Sequence, residues 1–497
     1  MTLDPAFRIA DVDPRIFGSF VEHMGRCVYT GIYEPGHPQA DGEGFRQDVA
    51  GFVRDLGVPI VRYPGGNFVS GYNWEDGIGP QDQRPSRLDL AWRSIESNQV
   101  GIDEFQRWAA KVGAETMMAV NLGTRGVDAA RALVEYCNHP SGSEHSDRRR
   151  ANGAADPYGI KVWCLGNEMD GPWQIGHKTP YEYGRLAKET ARAMRLVDPG
   201  IELVACGSSN SRMPTFGTWE ATVLAECYDE VDYISMHSYY EERNGDRDSF
   251  LACAVDLDNF IEAVVATADH VRATGRHKKR LNLSVDEWNV WYISDFVGEK
   301  NLEWEQHPRL IEDTYSVTDA VVVGTLLNSL LRHADRVSIG CLAQLVNVIA
   351  PIRSEANGPA WRQTTYHPFA LTSRYGRGTV LHVQPTTPVH DTAWQGEVPV
   401  LDAVAVMDDE LPAVTLFLVN RDQSEPLSLD VDLRGFPALT FGQHTSLSDA
   451  DPDAVNTAEQ PDRVVPSAPQ DVKIDDGRLQ VVLEPLSWNM VRLLPQP

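Results

Sequence analysis

The 497-residue chain has no Cys-x-x-Cys pair: its cysteines, Cys27, Cys137, Cys164, Cys206, Cys227, Cys253 and Cys341, are odd in number and widely scattered. This excludes a disulfide framework or a paired-cysteine zinc site and fits a reducing compartment. Basic charge is scarce. Lys and Arg total 44 against 71 Asp and Glu, a net −27, which repels phosphate backbones and anionic lipid, so neither nucleic acid nor a membrane is expected as a partner. Long apolar runs are missing too. The longest strongly apolar stretch, 320–331, contains Gly324 and Asn328 and is far too short to span a bilayer. The first ten residues carry Asp4 and Arg8 and no apolar run, unlike a secretion signal; a soluble cytoplasmic protein is expected. No G-x-G-x-x-G opens a helix after a strand, which argues against a dinucleotide fold. There is no repeat of fixed period and no low-complexity segment. Apolar residues, by contrast, make up 42% of the chain against 23% charged, enough for a sizeable core. Twelve Trp and sixteen Tyr supply faces that suit core packing and sugar rings alike.

Two textures divide the sequence. Over 13–374 short β-rich runs alternate with amphipathic helical stretches; over 375–497 the helical periodicity fades and alternating strand patterns such as 413–419 and 479–483 take over. The Pro-, Asp- and Ser-rich stretch 446–476 reads as surface loops between strands. Eight strands are predicted in the first part, at 16–21, 59–63, 116–121, 160–165, 202–206, 233–237, 281–286 and 337–342, with helices at 45–56, 103–112, 180–197, 257–273 and 313–332 among the intervening segments. Eight βα units with a buried parallel sheet make a (β/α)8 TIM barrel.

In such a barrel the active site forms where the strands end at their C-termini, and polar residues gather at those points: Glu22 and His23 after the first strand, Arg62 to Asn67 at the second, Asn121 at the third, Asn167 and Glu168 at the fourth, His237 and Tyr239 at the sixth, Asp286 and Glu287 at the seventh, Gln344 at the eighth. A helix cap or a satisfied loop group accounts for any one of these, but poorly for seven together. Glu168 and Glu287, three strands apart in a ring of eight, can face each other across the mouth. Paired carboxylates are what glycoside hydrolysis needs, one to protonate the leaving group and one to attack. That chemistry calls for no metal and no cofactor.

The motifs Phe17-Gly-Ser-Phe-Val-Glu-His23, Arg62-Tyr-Pro-Gly-Gly-Asn-Phe68, Tyr72-Asn-Trp-Glu-Asp-Gly-Ile-Gly-Pro80, Leu90-Ala-Trp-Arg-Ser94, Trp163-Cys-Leu-Gly-Asn-Glu168, Val285-Asp-Glu-Trp-Asn289 and Leu342-Ala-Gln-Leu-Val-Asn347 resemble, in order and nearly end to end, the α-L-arabinofuranosidases of glycoside hydrolase family 51. The resemblance implies a barrel with a C-terminal β-sandwich to which residues 1–12 contribute a strand, and retention of anomeric configuration. It implies Glu168 as acid/base and Glu287 as nucleophile. It assigns Glu22, Asn67, Asn167 and Gln344 to the terminal arabinose, Tyr239 to a place beside the nucleophile, Arg62 to one beneath it, and Trp92 and Trp291 to the walls around the sugar and its leaving group. On physical grounds Arg62 and Tyr239 would favour an ionised Glu287, and Glu168, repelled by that charge, would keep its proton longer. His23 and His237 read as hydrogen-bonded residues of the barrel mouth, His237 in a supporting role. The expected activity is exo-acting release of arabinofuranosyl units from arabinose-containing oligosaccharides or polysaccharides; endoglucanase or β-xylosidase-like activity is the rival within the family, and a binding protein on an inactive barrel the rival outside it. The resemblance also implies a homo-oligomer, a hexamer by family habit. The tail, with no evident aromatic cluster, reads as a packing partner for the barrel.

Overall fold

The computed structural model describes residues 1–408, 411, 413–436, 439–469 and 472–496. All eight predicted barrel strands form, as Gly18–Phe20, Ile60–Tyr63, Glu115–Ala119, Val162–Leu165, Glu202–Ala205, Tyr233–Tyr240, Asn282–Val290 and Val337–Ala343. They pair in chain order, parallel throughout, and the eighth closes on the first. Runs such as Val162–Leu165 are buried at every position, as strands must be when helices cover one face and barrel side chains fill the other. The helices form an outer ring. Gln47–Leu56 shows how: it buries Val49, Ala50, Val53 and Leu56 on one face and stops at Gly57, whose φ of 77° closes the helix in the left-handed conformation.

The strand ends differ from prediction at several points: the third strand stops at Ala119, leaving Asn121 beyond it, and the fourth begins at Val162. Residues 16–17 belong to a 3-10 turn, Pro14–Phe17, because Asp13 caps the Arg15 N–H and Pro14 fixes φ at its first position. The sixth and seventh strands run on to Tyr240 and Val290, so Tyr239 and Glu287 sit on strands rather than beyond them. Among the described residues five helices escaped the sequence reading: Val127–Asn138, Glu144–Ala151, Thr218–Cys227, Arg247–Leu251 and Tyr366–Tyr375. Glu144–Ala151 has almost no apolar face. It is held by Arg149, whose buried guanidinium donates to the carbonyls of Tyr136, His139 and Pro140 at 2.9, 2.6 and 2.9 Å.

Beyond the helix Tyr366–Tyr375 the chain is β-structured. A six-stranded sheet runs Arg8–Asp11, Thr379–Leu381, Leu401–Met407, Val414–Asn420, Ser487–Pro495, Leu439–Leu447, and a three-stranded sheet runs Leu427–Asp432, Arg478–Leu483, Val472–Asp475. Leu416, Leu418, Leu493, Val431, Leu479 and Val481 from the two sheets share a core separate from that of the barrel. The helix Val317–Arg332 is buried along nearly its whole length. Its residue Gly324 abuts the Trp488 indole of the sandwich, and its Asn328 and Arg332 donate to Asp402 there at 2.7 and 2.9 Å. Among the described residues no helix is long and apolar enough to cross a membrane.

Candidate active site

The barrel mouth opens into a cavity of about 410 Å³ lined by Glu22, Asn67, Trp92, Glu168, Tyr239, Glu287, Trp291 and Gln344, among others. Eight of the nine residues assigned to catalysis or binding from the sequence therefore line one cavity. The ninth, Asn167, lies just beneath, buried, accepting from Arg62 Nη2 at 2.6 Å and donating to Asn67 at 3.3 Å.

Glu287 is fixed at both oxygens. Arg62 Nη1 donates to Oε1 at 2.7 Å and the Tyr239 hydroxyl to Oε2 at 2.7 Å. Burial first, and then the charge of Glu287, push the Tyr239 phenol well above its ordinary pKa, so it keeps its proton and acts as the donor. For Arg62, burial works against the charge but Asp286 and Glu287 outweigh it and raise the pKa. Glu168, at φ 43°, holds a backbone conformation costly to a non-glycine residue. Its Oε1 meets His237 Nδ1 at 2.9 Å and its Oε2 accepts from Trp173 Nε1 at 2.6 Å. One oxygen from each glutamate and a His237 ring nitrogen all lie within 4.8 Å of one another.

That trio has the spacing of a metal site, but its histidine is otherwise engaged. His237 Nε2 meets Asp286 at 2.9 Å while Nδ1 faces Glu168 at 2.9 Å and Glu287 at 3.5 Å. Burial would lower its pKa, yet Glu287, Asp286 and Glu168 together push it well above the ordinary histidine value. A doubly protonated ring donates from both nitrogens and has no lone pair for a metal.

Glu22 forms the floor on the other side. It accepts from Trp92 Nε1 and the Phe68 amide, both at 2.9 Å, and its own amide donates to Gln344 Oε1 at 3.1 Å. Burial, followed by the charge of Glu287, pushes its carboxyl up to about 8. The Gly65-Gly66 pair lets the chain pass close against both acids: a Cβ on Gly65 would lie 2.6 Å from Glu22 Cγ, and one on Gly66 3.0 Å from Glu287 Oε1 and 3.2 Å from Glu22 Oε2. Trp291 stands edge-on to Tyr239, ring centroids 5.1 Å apart. His23 is not in the cavity; it is buried, bonded to Glu96 at 2.9 Å and to Tyr63 at 2.8 Å.

The sequence reading assigned no role to Asp286 or Trp173. Asp286 neighbours a site glutamate, and only the closed barrel shows that it faces inward to His237. Trp173 lies five residues after Glu168, on a turn in which Gly171 makes room for its ring; an aromatic in the segment after a barrel-end acid was the available signal.

Residues 52–259 match the family described as alpha-L-arabinofuranosidase 1 domain and residues 286–487 the alpha-L-arabinofuranosidase C-terminal domain. An intracellular exo-alpha-(1->5)-L-arabinofuranosidase of Streptomyces lividans is 61% identical over 99% of this chain and 74% of its own. One of the same name from Halalkalibacterium halodurans is 56% identical over 99% and 98%. A family 51 alpha-L-arabinofuranosidase structure from Bifidobacterium longum superposes with a TM-score of 0.95 at 49% identity, over 99% of this chain and 98% of the other.

Proposed function

Since the chain belongs to the α-L-arabinofuranosidases of glycoside hydrolase family 51 and is an exo-acting enzyme on arabinose-containing substrates, we propose that it works by retaining double displacement, with Glu287 as nucleophile and Glu168 as acid/base. A Glu287 oxygen attacks the anomeric carbon while the glycosidic bond breaks and Glu168 gives its proton to the departing oxygen. Glu168 then takes a proton from water, whose oxygen displaces Glu287 and releases arabinose in its original configuration. The observation that carries this reading is the approach of the two carboxylates, within 4.8 Å at their nearest oxygens; an inverting pair stands about 6.5–9.5 Å apart to admit a water.

Glu22, Asn67, Asn167 and Gln344 hold the hydroxyls of the terminal arabinose, and Trp92 and Trp291 close its sides. With its carboxyl pushed up to about 8, Glu22 enters neutral pH protonated and donates a hydrogen bond that a charged carboxylate could not. Arg62, Tyr239 and His237 position the two glutamates. The names of the relatives favour α-(1→5)-linked arabino-oligosaccharides and a cytoplasmic location, and the family resemblance favours a homo-oligomer. The closed eight-stranded sheet and the separate six-stranded sheet, in which Arg8–Asp11 pairs with Thr379–Leu381, favour a catalytic barrel over 13–374 and a sandwich over 375–497 that takes in residues 1–12. Proton NMR of the first-formed sugar tests the mechanism: the α-anomer is expected, and the β-anomer would overturn it.

A further inference from the structure

The cavity that holds the two glutamates is also lined by two arginines that touch the C-terminal part of the chain. The hairpin Val389–Thr392 with Gly396–Pro399 belongs to neither sheet of the sandwich. Its turn carries Trp394, 46% exposed, a large indole face left in water. Two guanidinium groups lie against that ring, Arg212 and Arg243, with Cζ 5.8 and 5.7 Å from its centroid. Both arginines line the same cavity as Glu168 and Glu287. Arg212 lies beyond the fifth barrel strand and Arg243 beyond the sixth, so the hairpin meets the barrel at its catalytic end. Arg243 is held by Glu241, Nε to Oε1 at 2.8 Å. The guanidinium of Arg212 has no hydrogen bond or ion pair among the described residues; only its backbone amide is engaged, by Asn210.

Trp173, which donates to Glu168, lines this cavity together with Ser209, Asn210, Ser211 and these arginines. If Glu168 protonates the leaving oxygen, this is the direction in which the remainder of the substrate extends. We propose that Trp394, Arg212 and Arg243 form a distal leaving-group subsite, which binds a sugar unit beyond the one that accepts the Glu168 proton. The indole stacks against the C–H face of that sugar, and guanidinium N–H groups donate to its hydroxyls. The occupant is the reducing-end portion of an arabino-oligosaccharide, because the subsite is continuous with the cavity that holds the scissile bond. The tail is thus more than a packing partner, since one of its hairpins reaches the substrate. The inference rests on the assignment of Glu168 to the leaving-group side.

The test compares kcat/KM for a linear α-(1→5)-arabinopentaose with that for an aryl α-L-arabinofuranoside, which is too short to reach the rim. In W394A the ratio of the two is expected to fall about fivefold to tenfold, mostly through KM of the pentaose, and in W394F to recover most of the loss. An unchanged ratio, or an equal fall on both substrates, overturns the subsite, as does a change of assembly size with the ratio intact. Should W394A fail to fold, R212Q, at an exposed side chain, carries the same expectation and the same refutation. An inverted azide product from Glu168→Ala and a retained one from Glu287→Ala would remove the reading beneath; an unchanged ratio with Glu168 acting as acid/base removes only the subsite.

Discussion

Glu22 and Glu287 both crowd the face of Gly66 where a side chain would stand, and burial together with the neighbouring charge pushes Glu22 up to about 8 from an ordinary 4.5. In that interval the unfolded chain has released the proton and the folded protein has not, so the folded state loses stability as pH rises from about 4.5 to about 8. Glu22→Gln, which keeps an acceptor for Trp92 and Phe68, removes this dependence. Its stability relative to wild type, from denaturant midpoints, is therefore expected to rise between pH 5 and pH 8.5; parallel curves would contradict the assignment. At this scale the sequence was most informative where a residue's part follows from its place at a strand end, as for Glu168, Glu287 and Gln344. It was silent where the part depends on a partner distant in sequence. Nothing beside Asp286 announces that its carboxylate grips His237, and nothing beside Trp394 announces two arginines from barrel loops.

The barrel strands were legible as elements because they are short, apolar and bounded by polar ends. The helix Val317–Arg332 was legible as a helix, but its all-round apolar character has its cause in what surrounds it: barrel strands on one side and sandwich strands with Trp488 on the other. Glu144–Ala151 stayed hidden for the opposite reason, having no apolar stripe to read. Gly324 sits mid-helix, where alanine is ordinarily better by about 1 kcal/mol. Here a Cβ would lie 2.2 Å from Trp488 Cδ1, and overpacking of this kind costs about 1–3 kcal/mol. Gly324→Ala is accordingly expected to lower the denaturant midpoint; a stabilised variant would show that the helix and Trp488 are not in close contact.

Across the whole molecule, closure of the barrel brings together acids that are far apart in the chain, and the helix between barrel and sandwich locks the two parts. Asp402 takes Arg332 and Asn328 from that helix and Arg421 from its own side at 2.9, 2.7 and 2.7 Å. A buried ionic group of this kind adds little net stability but penalises any other docking, because a misplaced charge would stay unpaired. Fixed docking is what carries Trp394 to the barrel rim. None of this register could be read from the sequence, which offered a boundary and a strand pattern but no partner for Asp402. The central claim is the division of labour between Glu168 and Glu287, and chemical rescue by azide of the two alanine variants tests it most directly. With a dinitrophenyl arabinofuranoside, whose leaving group departs without a proton, Glu168→Ala should still form the glycosyl-enzyme, and azide should then release an arabinosyl azide of retained configuration. Glu287→Ala should be inactive on that substrate until azide is added, and should then yield the inverted azide. The reverse pattern, an inverted azide from Glu168→Ala and a retained one from Glu287→Ala, would contradict the account.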